Sequence, residues 1–431
     1  MAKKFFIFSL LCLLAIAAQA QSQRISGAWT GKLNVLGGEL RLVFHLDDEA
    51  CSMDSPDQSV KGIPAKLERS ERGVKVSVPS INASFEGEYR DSLIVGTFSQ
   101  HGQSFPLTLA PGEKRLSRPQ TPVGPFPYQM QEVSFSNGDA VLKGTLVTPQ
   151  GCTRETPVLL MVTGSGLQNR DEEIFEHKPF AVIADALARK GIATLRYDDR
   201  GFGESSGDLV QVTTEDLKND ALAGVSLLRG RFYHVGVLGH SEGGTIALML
   251  AEEGKADFVV SLAGNIVSGE KTLLEQNRRE LQKAGYAQNV VDGYCQALES
   301  LFDALKAGKD PEVPSSGLPA GLLQNLKAVK AQSSTPYMRY FLALDISVSL
   351  GKISCPVLAL NGTLDSQVNC EENLSLLRDR LRCPKEIHAV EGLNHLFQHC
   401  KRGDFSEYKE IEETFAPEVL ALIADWMQQF K

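Results

Sequence analysis

Short apolar runs alternate with amphipathic segments from about residue 131 to the end of the chain, and this alternation constrains the fold most strongly. The apolar runs are typical of strands buried on both faces, and the segments between them have helical periodicity. The pattern predicts a mostly parallel sheet with helices on both faces. Residues 140–147 alternate instead and predict an antiparallel edge strand. The predicted buried strands are 157–163, 235–238, 258–262 and 356–360, with a further strand at 192–197 and a shorter, last strand at 387–390.

Residues 24–112 show partial period-2 alternation between turn residues, which predicts a small all-β domain, either a barrel or a sandwich. His45 and His101 are isolated there, and we interpret them as structural or surface groups. Five prolines then follow between residues 111 and 130. Because proline fixes φ and removes a donor, we predict a linker at 113–130, before a catalytic domain at 131–431.

Residues 1–20 have the pattern of a signal peptide. Lys3 and Lys4 precede an apolar run at 5–17, and Ala18-Gln19-Ala20 is a small-x-small cleavage site. We therefore expect an exported protein, periplasmic or secreted, with a mature chain that begins near Gln21. The run is too short to span a bilayer, so no membrane span is expected. Removal of Cys12 with this segment leaves seven of the eight cysteines, an odd number that leaves at least one free or paired between chains.

Residues 267–350 interrupt the alternation, because they contain helical patterns and no clear strand. Helices are predicted at 271–284, 290–306 and 319–331. We interpret this segment as a helical insertion that forms a lid over the carboxyl end of the sheet.

The motif Gly239-His240-Ser241-Glu242-Gly243 follows a buried strand and opens a helix at 245–251. This is the strand–turn–helix context of a nucleophile elbow, in which a sharp turn lifts the serine hydroxyl clear of the sheet. The flanking glycines avoid clashes with the neighbouring strand and helix. We predict that Ser241 is a catalytic nucleophile and that His240 points away from it.

A nucleophilic serine needs a base, and the base needs an orienting acid. Asp365 follows the strand at 356–360, and His395 follows the strand at 387–390. Because parallel strands bring such loops to one edge of the sheet, we predict Asp365 as the acid and His395 as the base. Glu391 is an alternative acid, and His388 and His399 are weaker candidates for the base.

The predicted oxyanion hole uses the backbone N–H of Glu242 and a second N–H from the loop after the strand at 157–163. That loop is Thr163-Gly164-Ser165-Gly166, and both Ser165 and Gly166 remain candidates for the second donor. The charges of 196–205 are expected to brace the loops around the site. The acidic residues at 171–173 are expected to form a solvated loop rather than a metal site, and no cofactor or metal is implied.

The motifs at 163–171, 197–201, 239–243 and 360–365 together resemble the α/β-hydrolase superfamily over residues 131–431. They are similar to exported bacterial hydrolases of the serine aminopeptidase-like and dienelactone-hydrolase-like families. A β-domain before a hydrolase domain also resembles a class of bacterial carboxylesterases. The resemblance implies a serine esterase that forms an acyl-enzyme on a small-molecule ester. The loop at 163–166 departs from the His-Gly-Gly loop of many lipases, so acyl preference stays open.

Two other functions remain open from the sequence. The first is an aminopeptidase-like peptidase with the same triad, in which Glu270 or Glu275 would bind a free amino terminus. The second is a non-catalytic binding module, which the complete set of Ser241, Asp365 and His395 disfavours. Export disfavours a thioesterase that acts on coenzyme A esters. The net charge of −9 argues against a nucleic-acid partner.

Overall fold

The computed structural model describes residues 25–35, 38–58, 60–70, 72–100, 102–113 and 115–431. The predicted signal peptide at 1–20 and His101 lie outside these residues. The chain divides into two compact units, residues 1–115 and residues 116–431. Within the described residues, no helix combines the length and the apolar character that a membrane crossing requires. The seven cysteines after Cys12 are all free thiols.

The first unit is a single antiparallel sheet of nine strands, in the order β4-β3-β2-β1-β9-β8-β7-β6-β5. One residue, Ala65, joins the two edge strands β4 and β5, so the sheet curls enough to bring the end of β4 next to the start of β5. The strands are β1 (Ala28–Val35), β2 (Gly38–His45), β3 (Ser52–Ser55), β4 (Val60–Pro64), β5 (Lys66–Arg69), β6 (Gly73–Val78), β7 (Ala83–Arg90), β8 (Leu93–Gln100) and β9 (Gln103–Pro111).

Alternation along β6 shows why this sheet encloses a core. Val74, Val76 and Val78 are buried, whereas Lys75 is exposed between them, because successive side chains of a strand point to opposite faces. Phe44 and Phe85 meet inside, with ring centroids 5.4 Å apart.

The second unit contains a sheet of eight strands in the order β10-β11-β13-β12-β14-β15-β16-β17. β11 pairs antiparallel with β10 on one side and with β13 on the other, and the remaining neighbours are parallel. The edge strand is therefore β10, and the prediction of an edge strand at 140–147 is wrong, because the preceding strand covers that side of β11. The six residues of β14 and the six of β16 are all buried, as expected for strands covered on both faces. The strands are β10 (Tyr128–Asn137), β11 (Ala140–Pro149), β12 (Val158–Val162), β13 (Ala193–Tyr197), β14 (Val235–His240), β15 (Val259–Leu262), β16 (Val357–Gly362) and β17 (Lys385–Val390).

Helices cover both faces of this sheet. The first and last helices, α1 (Pro179–Arg189) and α9 (Pro417–Met427), share one apolar core with alternate residues of the strands. The opposite face packs against the helices α2 (Thr214–Arg229), α3 (Glu242–Glu252) and α8 (Cys370–Arg380). The helices α1 and α2 lie between predicted strands, where the sequence has helical periodicity.

The segment between β15 and β16 is helical, as the sequence predicts, and has an apolar core of its own. The short helix α7 was missed at the sequence level. Thr335 caps it by accepting a hydrogen bond from the N–H of Met338 at 3.2 Å, and Pro336 occupies its first turn. The helices are α4 (Gly269–Lys283), α5 (Gln288–Lys306), α6 (Ala320–Ser333) and α7 (Pro336–Ala343).

Residues 116–127, here called the strap, contain no helix or strand. Arg118 and Gln120 nevertheless fix the strap to the rest of the second unit. Beyond the strap, the Arg118 guanidinium donates to the carbonyls of Phe175, Lys409 and Ile411. The Gln120 side chain accepts hydrogen bonds from the N–H groups of Thr414 and Phe415. This part of the predicted linker is therefore bound along the catalytic unit.

Candidate active site

Ser241 lies in the tight turn between β14 and α3, with φ 55° and ψ −120°. Such a positive φ is unfavourable for a residue with a side chain and is characteristic of strained functional turns. The flanking glycines permit the turn. A Cβ on Gly239 would lie 1.9 Å from the Gly243 carbonyl oxygen, and one on Gly243 would lie 2.1 Å from the Val162 oxygen. The local sequence therefore produces the elbow geometry that the motif predicts.

His395 and Asp365 lie on the loops after β17 and β16, which are neighbouring parallel strands. The Nδ1 atom of His395 is 2.7 Å from Oδ2 of Asp365, and both residues are buried. The other oxygen of Asp365 accepts hydrogen bonds from the N–H groups of Gln367 at 2.7 Å and Val368 at 2.9 Å. The carboxylate is thus held by main-chain donors in position to orient the imidazole. Glu391, the alternative acid, is exposed.

Ser241 and His395 line the same cavity, which has a volume of about 370 Å³. This is the size range of pockets that enclose a small organic molecule. The helical insertion supplies an apolar wall through Leu273, Met338 and Phe341. The pocket therefore lies between the carboxyl edge of the sheet and the insertion.

The loop after β12 passes directly beside Ser241. Ser165 lines the cavity, whereas Gly166 is not among the lining residues described. A Cβ on Gly164 would lie only 3.2 Å from the Cβ of Ser241. The N–H of Gly164 already donates to Oε1 of Glu172 at 2.8 Å.

Glu242 is the first residue of α3. The first N–H groups of a helix have no partner within the helix, so the N–H of Glu242 has none within α3.

The Glu242 side chain links the elbow to the helical insertion. Its carboxylate is buried, accepts a hydrogen bond from the Thr214 hydroxyl at 2.6 Å and accepts another from the hydroxyl of Tyr337 on α7. Burial and the neighbouring Glu242 charge raise the pKa of the Tyr337 phenol, so it stays protonated as a donor. The sequence analysis did not identify Tyr337, because its contact with Glu242 joins residues far apart in the chain.

Glu172 is buried with only 3% of its surface exposed, so the expectation of a solvated loop at 171–173 is wrong. Its Oε1 atom lies 2.9 Å from Nδ1 of His240. The Nε2 atom of His240 lies 2.9 Å from the main-chain oxygen of His395. The two acceptors of His240 thus lie on two different loops beside the cavity.

A family model described as serine aminopeptidase, S33 matches residues 176–399, which is more than half of the chain. The chain belongs to the serine aminopeptidase S33 family. The match and the sheet topology confirm the predicted α/β-hydrolase fold and identify the chain as a hydrolase.

Among proteins of known name, esterase EstD of Thermotoga maritima is 29% identical over 281 residues. That alignment covers 64% of this chain and 61% of EstD. Among solved structures, Est1E of Butyrivibrio proteoclasticus is 16% identical with a TM-score of 0.42, over 69% of this chain and 98% of that one. A proline iminopeptidase of Mycobacterium smegmatis is 15% identical with a TM-score of 0.43, over 70% and 98% of the two chains.

The charged segment after β13 braces the loops of this S33-family hydrolase, as the sequence predicts. Arg196 pairs with Asp171, and Arg200 holds Asp220 at 2.7 Å. Asp198 accepts from Arg170 at 2.8 Å. These pairs tie the loop at 169–171 and α2 to the end of β13.

The two acids considered for amine binding do not reach the cavity of the S33-family site. Glu270 pairs with Lys306, and Glu275 pairs with Arg279. Neither lines the pocket that contains Ser241.

Over the described residues, no group of His, Cys, Asp and Glu side chains could hold a metal ion.

Proposed function

We propose that the chain hydrolyses carboxylic esters of uncharged small molecules, with Ser241 as nucleophile, His395 as base and Asp365 as orienting acid. The observation that carries the proposal is the buried His395–Asp365 pair, 2.7 Å apart, on a cavity that also contains a serine in a strained elbow. The esterase name of the relative in Thermotoga maritima supports the same bond type.

In the proposed reaction, the Ser241 hydroxyl attacks the ester carbonyl and passes its proton to Nε2 of His395. The resulting oxyanion would be bound by the N–H of Glu242 and by an N–H of the loop at 163–166, from Ser165 or Gly166. His395 then protonates the alcohol as it departs from the carbonyl carbon. The acyl group remains bound to Ser241 as an acyl-enzyme. Water, deprotonated by His395, releases the acid and restores the hydroxyl. The insertion α4–α7 would serve as a lid that shapes the pocket.

We propose an uncharged substrate because the two carboxylates that line the pocket are already engaged in hydrogen bonds with the protein. Glu172 and Glu242 line the described pocket, and both already accept hydrogen bonds from the protein. A free amino terminus would need an acid to bind its charge. The alternative of an aminopeptidase is favoured by the family description alone.

The experiment compares p-nitrophenyl esters with aminoacyl p-nitroanilides as substrates for the mature protein. We expect ester turnover that falls by about 10⁴-fold or more in Ser241→Ala and by about 10²- to 10⁴-fold in Asp365→Asn. Ser226→Ala, on the exposed face of α2, is the matched control and should retain full activity. Anilide turnover without ester turnover would establish the peptidase instead. Ester turnover that persists in Ser241→Ala would refute the elbow assignment.

A further inference from the structure

A buried chain of hydrogen bonds runs behind the nucleophile from Glu172 through His240 to His395. The His395 main-chain oxygen can only accept, so the Nε2 atom of His240 must carry a proton. The Nδ1 atom of His240 faces the Glu172 carboxylate, which is also an acceptor when ionised. When Glu172 is ionised, both neighbours are acceptors, and only a ring with two N–H groups, an imidazolium, can donate to both.

The electrostatic surroundings agree with this assignment. Burial disfavours a charged imidazole and is the largest influence on the pKa of His240, but the Glu172 charge and hydrogen bonds outweigh it and raise the pKa. The charged or titratable groups around the ring are Glu172 on one side and His395 with Asp365 on the other. The ring centroids of His240 and His395 are 4.7 Å apart.

Glu172 adopts a backbone conformation that residues with side chains rarely adopt, with φ 52°. Strained backbone of this kind persists where the surrounding contacts fix it, and it concentrates at functional sites. Here a single atom, Oε1, accepts from both His240 and the N–H of Gly164. The Glu172 carboxylate thus joins the loop beside Ser241 to the elbow, and His240 extends this connection to the loop of His395.

We propose that Glu172 and His240 form a positioning ion pair that sets both the main chain of His395 and the loop at Gly164 for catalysis. The inference rests on the proposed function, because it assigns His395 and that loop to the reaction. Neither residue touches the reacting atoms in this role. They act through the hydrogen bonds to His395 and Gly164.

The test is Glu172→Gln, with Glu173→Gln as the matched control. Glu173 is buried on the same loop, with 8% exposure, but its ion pair is with Lys178. In Glu172→Gln the His240 ring loses the charge that raises its pKa. With the amide oxygen on the N–H of Gly164, a neutral His240 ring has one N–H for two acceptors; with the amide NH2 turned toward Nδ1, the N–H of Gly164 loses its acceptor. We expect kcat/KM to fall about 10- to 100-fold at about pH 8, with KM changed much less than kcat.

The division of the effect between kcat and KM separates positioning from a general structural defect. Once the Glu172 charge is gone, burial lowers the pKa of His240, so the ring stays neutral and the deficit should keep its size over about pH 6 to 9. A deficit that disappears on acidification within that range, an effect confined to KM, or a kcat/KM within about twofold of the wild type would overturn the inference. A wild type without Ser241-dependent turnover would instead refute the proposed function.

If Glu172→Gln fails to fold, the inference can still be tested on the intact protein by a measurement that does not depend on turnover. The ¹⁵N chemical shifts of the His240 side chain in the intact protein report the protonation of both nitrogens. We expect two protonated nitrogens at about pH 7, and a neutral ring would overturn the inference.

Discussion

At the scale of single residues, Asp199 differs from its neighbour Asp198 in the charge that surrounds it. Asp199 accepts hydrogen bonds from the Thr163 hydroxyl and the Gln168 N–H, which are neutral donors. Burial, with smaller contributions from Glu172 and Glu242, raises the pKa of Asp199 to about 8. Burial also opposes ionisation of Asp198, but the hydrogen bonds of Arg170 outweigh it and lower the pKa. Adjacent carboxyl groups therefore differ in protonation at neutral pH.

This difference predicts a pH-dependent stability. An unfolded aspartate has a pKa of about 3.9, so between about pH 4 and 8 native Asp199 binds a proton that the unfolded chain does not. Its contribution to stability is complete below that window and is lost as the pH rises through about 8. Asp199→Asn resembles the protonated acid. Its free energy of unfolding relative to the wild type should therefore increase by about 2–5 kcal/mol between about pH 5 and 9.

Asp198→Asn is the control for this prediction. Asp198 is ionised across the same range, so the difference between that variant and the wild type should not change with pH. Urea titrations at several pH values measure both differences. A constant difference for Asp199→Asn would show that Asp199 is ionised in the native protein.

The residues of the proposed triad could be predicted from the sequence because each stands directly after a recognisable strand. Chain order and parallel pairing then bring Ser241, Asp365 and His395 to one edge of the sheet. Glu172 could not be assigned in this way. Its contact with His240 spans 68 positions and depends on a loop conformation that no local pattern encodes.

At the scale of secondary structure, the buried strands and the longer helices were predictable, whereas α7 was not. The buried strands have continuous apolar runs and the helices α1 and α2 have clear periodicity, which are strong local signals. The helix α7 has eight residues rich in aromatic side chains, a length at which isolated helices are unstable. Its position is fixed by contacts with other elements, which the local sequence does not encode.

Two tyrosines of α7 allow a matched test of its role as part of the lid. Tyr337 donates to the buried Glu242, the residue after Ser241. Tyr340 donates at 3.0 Å to Glu215, a residue that also binds Lys218. We expect Tyr337→Phe to lower kcat/KM for esters about tenfold, because a buried carboxylate loses a donor. Tyr340→Phe should stay within about twofold of the wild type.

Steady-state kinetics of both variants on one ester would measure this difference. Equal effects of the two substitutions would contradict a specific role for the contact between α7 and the elbow. Circular dichroism spectra like that of the wild type would show that the insertion remains helical in both variants.

At the scale of the whole molecule, every described residue that lines the proposed catalytic cavity belongs to residues 116–431. The strap contributes to the same unit, because Leu116 packs against a buried cluster of Phe175, Leu396 and Tyr408. Leu396 directly follows His395. Residues 116–431 should therefore contain all that ester hydrolysis requires.

Two truncated chains test this division. A chain that begins at residue 116 should keep kcat/KM within about threefold of the full mature protein, since it retains the cavity and the strap. A chain that begins at residue 128 lacks the hydrogen bonds of Arg118 and Gln120, so its free energy of unfolding should be lower by about 2–4 kcal/mol. Thermal unfolding and ester kinetics measure both. Equal stability of the two chains would show that the strap contributes nothing.

The strap also determines how tension would enter the catalytic unit. A pulling force applied from the amino-terminal side reaches Arg118 before it reaches Tyr128, where the first strand of the sheet begins. Arg118 passes that force to two separate loops, through the carbonyls of Phe175 on one and of Lys409 and Ile411 on the other. Mechanical load on the amino-terminal unit would therefore strain the loops that flank the cavity before it strains the sheet.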